Sequence, residues 1–460
     1  MQSSNRLIQA SVLALGIAGA LACGNAQASA FQLKENSVKA QGRAMAGSAS
    51  ATGDASVVVN NPAVMSTFTE KTVQADVSAI DLSFNFSGGG TAAAGSALAR
   101  PLTGGNGGNA GGLNGVPAMS FVLPLHDSFE GLTLGAMVSA PFGLKTDYDA
   151  DWVGRYHALE SDVKIIDLTL SASLALTDRF SVGVGAIYSR ADVTLSNAVD
   201  FGSSICRLNA RLCVLPTPAT ATYGPEKNDG TASIHGTDNS IGWLVGVNWR
   251  PTDRLSLGYS HRSEVDYDLR GRASFNVPAN VAALLAVAAP NQYVSTGGGA
   301  ALTTPSIDTF SGTWQATDRL ALMAEASKTD WHSLKEIRIQ FDSAQADSVE
   351  DYEWADSWFY AIGGEYKFTD KFTFRAGVAR DDSPISLPHL TPRMPDQDRM
   401  WYSLGLTWNA TPNFEVSASY VKLDLIDKPE VNILSSSGSR LIGSYSGGAD
   451  IYGVSAQYKF

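Results

Sequence analysis

Past residue 70 the chain is dominated by apolar and polar positions that alternate with period two, the signature of strands with unlike faces. In Lys164–Leu176, Ile166, Leu168, Leu170, Ala172, Leu174 and Leu176 point one way, and Asp167, Thr169, Ser171 and Ser173 point the other. The pattern recurs at Ile241, Trp243, Val245, Val247 and Trp249, and at Phe414, Val416, Ala418 and Tyr420. It returns at Tyr402, Leu404, Leu406 and Trp408, and closes the chain at Tyr452, Val454, Ala456, Tyr458 and Phe460. Alternation alone would suit a soluble β-sandwich equally well. Two further regularities separate the readings.

The first is punctuation. Short turns recur as Thr177-Asp178-Arg179, Thr252-Asp253-Arg254, Thr317-Asp318-Arg319, Thr369-Asp370-Lys371 and Thr411-Pro412-Asn413, with His126-Asp127-Ser128 as a looser sixth. Between them lie long polar connections at 88–116, 143–162, 196–236, 271–305, 342–352, 382–398 and 428–448. Six short and seven long connections join fourteen strands. The number is even, and the turns are short at one end only, as in an outer-membrane barrel. The second regularity is the aromatics. Trp249, Tyr366, Phe368, Trp408, Tyr458 and Phe460 lie near the short-turn end of the apolar face, and Tyr188, Tyr259, Tyr360 and Tyr420 lie further along. Two girdles bracketing an apolar band mark the two membrane–water interfaces. In lipid every backbone polar group needs a protein partner, so the sheet must close on itself. The pattern predicts an all-β fold, a fourteen-stranded antiparallel transmembrane β-barrel.

A barrel of this size has a lumen its own side chains cannot fill. The stretch Phe31–Phe68, rich in Ala, Gly and Ser and broken by Arg43, Asp54 and Asn60-Asn61-Pro62, is too polar to form a core alone. It is expected to plug the pore. Ahead of it, Arg6, the apolar run Leu7–Cys23 and Ala26-Gln27-Ala28 have the order of a cleaved signal peptide. The expected organisation is a signal peptide at 1–28, an N-terminal hatch at 29–70 and the barrel at 71–460. No later run is long enough for a membrane-spanning helix.

Charged residues are only 17% and the net charge is −12, which argues against nucleic acid as a partner. Cys23 leaves with the signal; Cys206 and Cys213 remain close together in a loop, and export favours a disulfide over two free thiols. There is no G-x-S-x-G, H-E-x-x-H or P-loop, and the six His show no metal-ligand spacing. No catalytic residue, metal or cofactor is expected. An outer-membrane lipase or other lipid-modifying enzyme is the competing class, and a general polar porin would need an open lumen.

An ordered set of short motifs resembles the long-chain fatty acid outer-membrane transporter (FadL) family. It comprises Ser29-Ala30-Phe31-Gln32-Leu33, Gly42-Arg43-Ala44, Gly47, Asp54-Ala55 and Asn61-Pro62-Ala63 in the leader. Gly143-Leu144, Trp152-Val153-Gly154-Arg155-Tyr156, Arg262-Ser263-Glu264-Val265, Asp381-Asp382-Ser383-Pro384 and Pro395-Asp396-Gln397-Asp398-Arg399 follow. The resemblance covers the mature chain and implies a fourteen-stranded barrel with a hatch, acting as a monomer in the outer membrane of a Gram-negative bacterium. It implies passive uptake of long-chain fatty acids or similar hydrophobic molecules, with the hatch displaced by ligand. Neutral aromatic hydrocarbons are the alternative cargo.

The resemblance places Phe31 and Asn61-Pro62-Ala63 at pocket-lining positions. It also aligns Arg338 and Arg190 with basic positions used for the head group. If Ile337, Ile339 and Phe341 face lipid, Glu336, Arg338 and Gln340 face the lumen. Arg190 shares a face with Val182, Val184, Ala186 and Tyr188, so only a bulge would turn it inward. Arg375 also faces the lumen, with hatch carboxylates as its expected partners. In the third strand Pro141 cannot donate a ladder hydrogen bond and Phe142-Gly143 follow at once. A missing rung opens a wall, and the resemblance implies a lateral opening into the bilayer there; otherwise Pro141 simply ends the strand. Val277–Pro290 reads as an apolar helix in an outer loop.

Overall fold

Each Thr-containing turn closes in the same way. The hydroxyl of Thr177, Thr252, Thr317, Thr369 or Thr411 accepts from the backbone N–H two residues on, at 3.2–3.3 Å. These turns join the strands at one end of a closed cylinder in the computed structural model, which describes residues 30–125, 129–215, 217 and 221–460. The expected signal peptide, the cleavage position before Ser29 and the His126-Asp127-Ser128 turn lie outside the described residues.

Among the described residues fourteen antiparallel strands form the cylinder. They are β1 (Thr72–Ala92), β2 (Gly112–Pro124), β3 (Leu132–Asp147), β4 (Glu160–Thr177) and β5 (Phe180–Asp200). Next come β6 (Asp229–Thr252), β7 (Leu255–Arg262), β8 (Ile307–Gln315), β9 (Leu320–Thr329) and β10 (Ser357–Lys367). β11 (Phe372–Asp381), β12 (Arg399–Thr411), β13 (Phe414–Leu425) and β14 (Arg440–Lys459) complete it. The first and last strands pair from Thr72↔Lys459 to Thr91↔Arg440, so the cylinder has no free edge.

The strand faces are those the alternation predicts. Leu170, Ile241, Leu404 and Val454 are exposed outward, whereas Thr169, Ser171, Ser403 and Ser455 are buried inward. The inward face also changes with height, which the sequence reading did not anticipate. On β4, Thr169, Ser171 and Ser173 face in near the short turns, and Val163 and Ile165 face in near the long loops. The lumen is therefore polar below and apolar above.

Two hairpins carry the wall past the membrane. Val265–Asn276 pairs with Thr296–Thr304, and Glu336–Phe341 pairs with Ser348–Asp351, in regions read from sequence partly as loops. Between the strands of the first lies the helix Ala279–Ala288, whose Val281 and Leu285 pack on Phe201 and Ile205 of the helix Phe201–Leu208.

Residues 30–68 lie within the cylinder. Arg43 pairs with Glu365 of β10 at 2.7 Å, and Lys39 pairs with Glu415 of β13. Wall hydroxyls supply donors to carbonyls of this segment: Ser171 to Val58 at 2.8 Å, Ser173 and Ser181 to Ala63 at 3.0 and 2.9 Å, and Ser260 to Asn60 at 2.6 Å. A segment without a sheet or long helix of its own leaves backbone groups that the lumen must satisfy, which is why the lower wall is rich in serine and threonine. Gly42 and Gly405 meet so closely that a Cβ on Gly42 would stand 2.9 Å from the Gly405 Cα. Arg375 pairs with Glu365 of the wall and donates to Thr407. The expected hatch carboxylate is thus a wall carboxylate, shared with the segment's own Arg43.

Candidate functional site

The upper lumen holds an apolar cavity, partly open to solvent. Leu144, Val163, Leu269, Leu302, Ile337 and Ile339 are among the residues that wall it, and Phe31 lies at its border. The Phe31 ring is 5.0 Å from that of Trp331, 5.6 Å from Phe142 and 5.9 Å from Trp354, centroid to centroid. Aromatic rings at these separations pack edge-on or tilted and exclude water.

One buried cation lines this cavity. Arg393 is 5% exposed; its Nε donates to Glu350 at 2.7 Å, and its Nη1 points at the carbonyls of Glu160 and Ser196 and the Ser161 hydroxyl, each at 3.3 Å. Its Nη2 has no hydrogen-bond partner among the described residues. A guanidinium held on one side with a donor left over can receive a carboxylate.

Beneath Phe31 the third strand is kinked. Its register with β4 shifts between Ser139 and Phe142, across Pro141. Its pairing with β2 stops at Met119↔Val138, while β2 continues to pair with β1 down to Leu82↔Gly112. Along 112–118 the described wall thus lacks rungs between β2 and β3. The groups freed at the kink turn inward: Leu33 N–H donates to the Pro141 carbonyl at 2.7 Å, and Gly143 N–H donates to the Phe31 carbonyl at 2.8 Å. Pro141, Phe142 and Gly143 therefore meet the leading segment directly.

The other residues named from sequence lie elsewhere. Asn61, Pro62 and Ala63 sit low in the lumen, where Asn61 Nδ2 donates to the Val247 and Ala49 carbonyls at 3.0 and 2.7 Å. They anchor the segment to the wall and do not line the apolar cavity. Arg190 is exposed and, among the described residues, bonds only to Asn239, at 3.3 Å; β5 keeps a regular register with β6 there, so no bulge turns it inward. Arg338 is also exposed, paired with Glu336 at 2.8 Å and Asp347 at 3.5 Å. The parity assumed for its strand is reversed. Glu336–Phe341 belongs to an outer hairpin, so its apolar Ile337 and Ile339 turn in to the cavity and its charges turn out to water. Arg393, Trp331 and Trp354 were missed. Pro392 and Pro395 flanking Arg393 were the available sign of a fixed loop.

Cys206 and Cys213 are joined as a disulfide. The same loop region contributes Arg207 to a wide outer groove shared with Tyr156, His157, Glu350 and His389. Burial pulls the His157 imidazole down to about 4, so it is neutral at ordinary pH. In the leading segment Glu35 is buried without a hydrogen-bond partner for either side-chain oxygen among the described residues. Desolvation pushes it up to about 7 against the nearby charges of Arg399 and Lys34.

The sequence pattern of the family described as outer membrane protein transport protein (OMPP1/FadL/TodX) matches residues 19–460. The chain belongs to this family. Outer membrane protein P1 of Haemophilus influenzae strain Rd is 31% identical over 468 residues, covering 97% of this chain and 98% of that one. The long-chain fatty acid transport protein of Escherichia coli K12 is 28% identical over 429 residues, covering 89% and 91%. A FadL homologue from Pseudomonas aeruginosa matches in structure with a TM-score of 0.84 at 26% identity, over 94% of this chain and 100% of that one. The Ralstonia pickettii toluene transporter TbuX gives 0.65 at 16% identity over 93% and 99%, a likeness of fold alone. As a FadL-family barrel the protein is an outer-membrane transport protein of a Gram-negative cell.

Proposed function

We propose that the protein carries long-chain fatty acids passively from the cell surface into the outer membrane, without catalysing a reaction. The observation that carries this reading is an apolar cavity whose wall contains the buried, incompletely bonded guanidinium of Arg393. Burial of each CH₂ contributes ~0.8 kcal/mol, so a long acyl chain gains on the order of 10 kcal/mol in such a cavity. The carboxylate is then placed by Arg393 through a charge-assisted hydrogen bond. Such affinity would trap the ligand unless the site can be dismantled. The segment 29–70 acts as a hatch: ligand displaces Phe31, the Phe31–Gly143 and Leu33–Pro141 hydrogen bonds part, and the acyl chain leaves through the unpaired stretch between β2 and β3. Phe31, Pro141, Phe142 and Gly143 belong to this route; Arg393 takes the role first given to Arg338 and Arg190. Neutral aromatic hydrocarbons are the lesser reading, since they offer a buried guanidinium a ring face but no carboxylate to accept its free N–H.

The test compares affinity for oleate and for oleyl alcohol in the wild type and Arg393→Gln. Oleate affinity should fall by about 10- to 100-fold, the worth of ~1.5–3 kcal/mol in a charged hydrogen bond, with alcohol affinity little changed. Equal losses for the two ligands would remove the head-group role.

A further inference from the structure

A second, partly open cavity lies inside the lumen on the other side of the contact between the leading segment and the kink. Lys34, Ser139, Pro141, Ser260, Arg262 and Glu325 are among its lining. It is far more polar than the upper cavity. It also reaches Ser139 and Pro141, where the rungs between β2 and β3 are missing.

Arg262 is its most informative residue. It ends β7 and opens the Arg262-Ser263-Glu264-Val265 motif, which the transport reading leaves without a task. Its side chain is 13% exposed and its Nη1 pairs with Asp167 Oδ2 at 2.8 Å. Nε and Nη2 are buried with no hydrogen-bond partner among the described residues. Those two nitrogens share one edge of the guanidinium, and together they form the fork that holds a carboxylate by two parallel hydrogen bonds. A buried donor left unmade is costly, and two on the same edge call for one planar acceptor. Asp167 occupies the opposite corner, so it orients the fork without filling it.

The surroundings favour an anion. Lys34 has its Nζ 4.4 Å from the Phe359 ring centroid and makes no ion pair among the described residues. The cavity's carboxylate, Glu325, already accepts from the Ser48 N–H at 2.7 Å. The Arg262 guanidinium is 5.8 Å from the Phe142 ring centroid, so the site adjoins the contact that separates it from the upper cavity.

We propose that this cavity is a second carboxylate site, where Arg262 receives the fatty-acid head group after it leaves Arg393 and while the acyl chain passes the opening beside Pro141. The inference rests on the fatty-acid reading above. Without such a relay, a carboxylate drawn towards the wall would shed one cation before meeting the next. Arg262 supplies that next partner at the inner lip of the opening and lowers the barrier for charged cargo only.

Full-length Arg262→Gln and the double variant Asp167→Asn/Arg262→Gln test this, the second removing the charge that the first leaves unpaired. Oleate and oleyl alcohol are the probes, with equilibrium binding and initial transfer into cells measured for each. In both variants oleate transfer should fall about tenfold while oleate affinity and oleyl alcohol transfer stay near wild type. Unchanged oleate transfer, or an equal fall for acid and alcohol in the double variant, would overturn the second site. Failure of the wild type to bind oleate at all would instead overturn the fatty-acid reading, and it is seen before any Arg262 variant is made.

Discussion

Phe31→Ala isolates what holds the leading segment against the kink. The ring is 4% exposed and packs on Phe142, Trp331 and Trp354, with no polar group to compensate its loss. Truncating a buried phenylalanine costs about 3–5 kcal/mol in transfer and cavity terms. What remains at this contact includes the Leu33–Pro141 and Gly143–Phe31 backbone pair, the bond from Ala30 N–H to Asp396 and that from the Thr329 hydroxyl to Gln32. Each of these contributes only ~1 kcal/mol net. Losing the ring should raise the undocked population by roughly 100- to 4000-fold, at 1.4 kcal/mol per tenfold. The Leu33 and Gly143 amides report it directly, because both N–H groups donate across the contact. Their hydrogen-exchange protection should fall by that factor, while amides in the β1–β14 seam keep theirs. Full protection at both amides in the variant would show that the ring does not hold the segment, and the hatch mechanism would lose its latch.

Glu35→Gln should remove a pH dependence. The wild-type carboxyl is raised from 4.5 to about 7 by burial, so the folded state holds its proton more tightly than the unfolded chain. Its destabilising contribution is absent below the unfolded value, grows as pH rises through that window and is complete above about 7. At pH 8 the variant should be the more stable by up to ~3 kcal/mol, with the difference gone near pH 4; parallel melting-temperature curves for the two proteins in detergent would contradict this. Arg190→Ala and Arg338→Ala should each leave oleate affinity and uptake unchanged, because both side chains point away from the cavity. A selective loss of oleate binding in either would restore the site first read from the sequence.

The strand faces, the turns and the weak point at Pro141 were legible because each depends on local chemistry. Alternation fixes which side of a strand meets lipid, a threonine hydroxyl closes its own turn, and proline has no N–H wherever it sits. Ile337 and Arg338 show where that logic stops. The same alternation continues past the membrane, but the outer solvent changes from lipid to water and the faces exchange roles. Arg393 was hidden for another reason: its partners at Glu160 on β4, Ser196 on β5 and Glu350 in an outer hairpin are far apart in the chain and no spacing brings them to it. Asn61-Pro62-Ala63 was recognisable as a rigid turn, yet its height in the lumen is set by Ser173, Ser181 and the Val247 carbonyl.

Lys39 is held by Glu415 of the penultimate strand and donates to Gln457 of the last at 3.0 Å. Beyond the Gly53 carbonyl of its own segment, its ammonium thus finds its wall partners at the far end of the polypeptide. A barrel cut short before Arg440 would lack both its seam and the Gln457 half of this lysine's wall contacts, so the strand that closes the cylinder is also one that seats the leading segment.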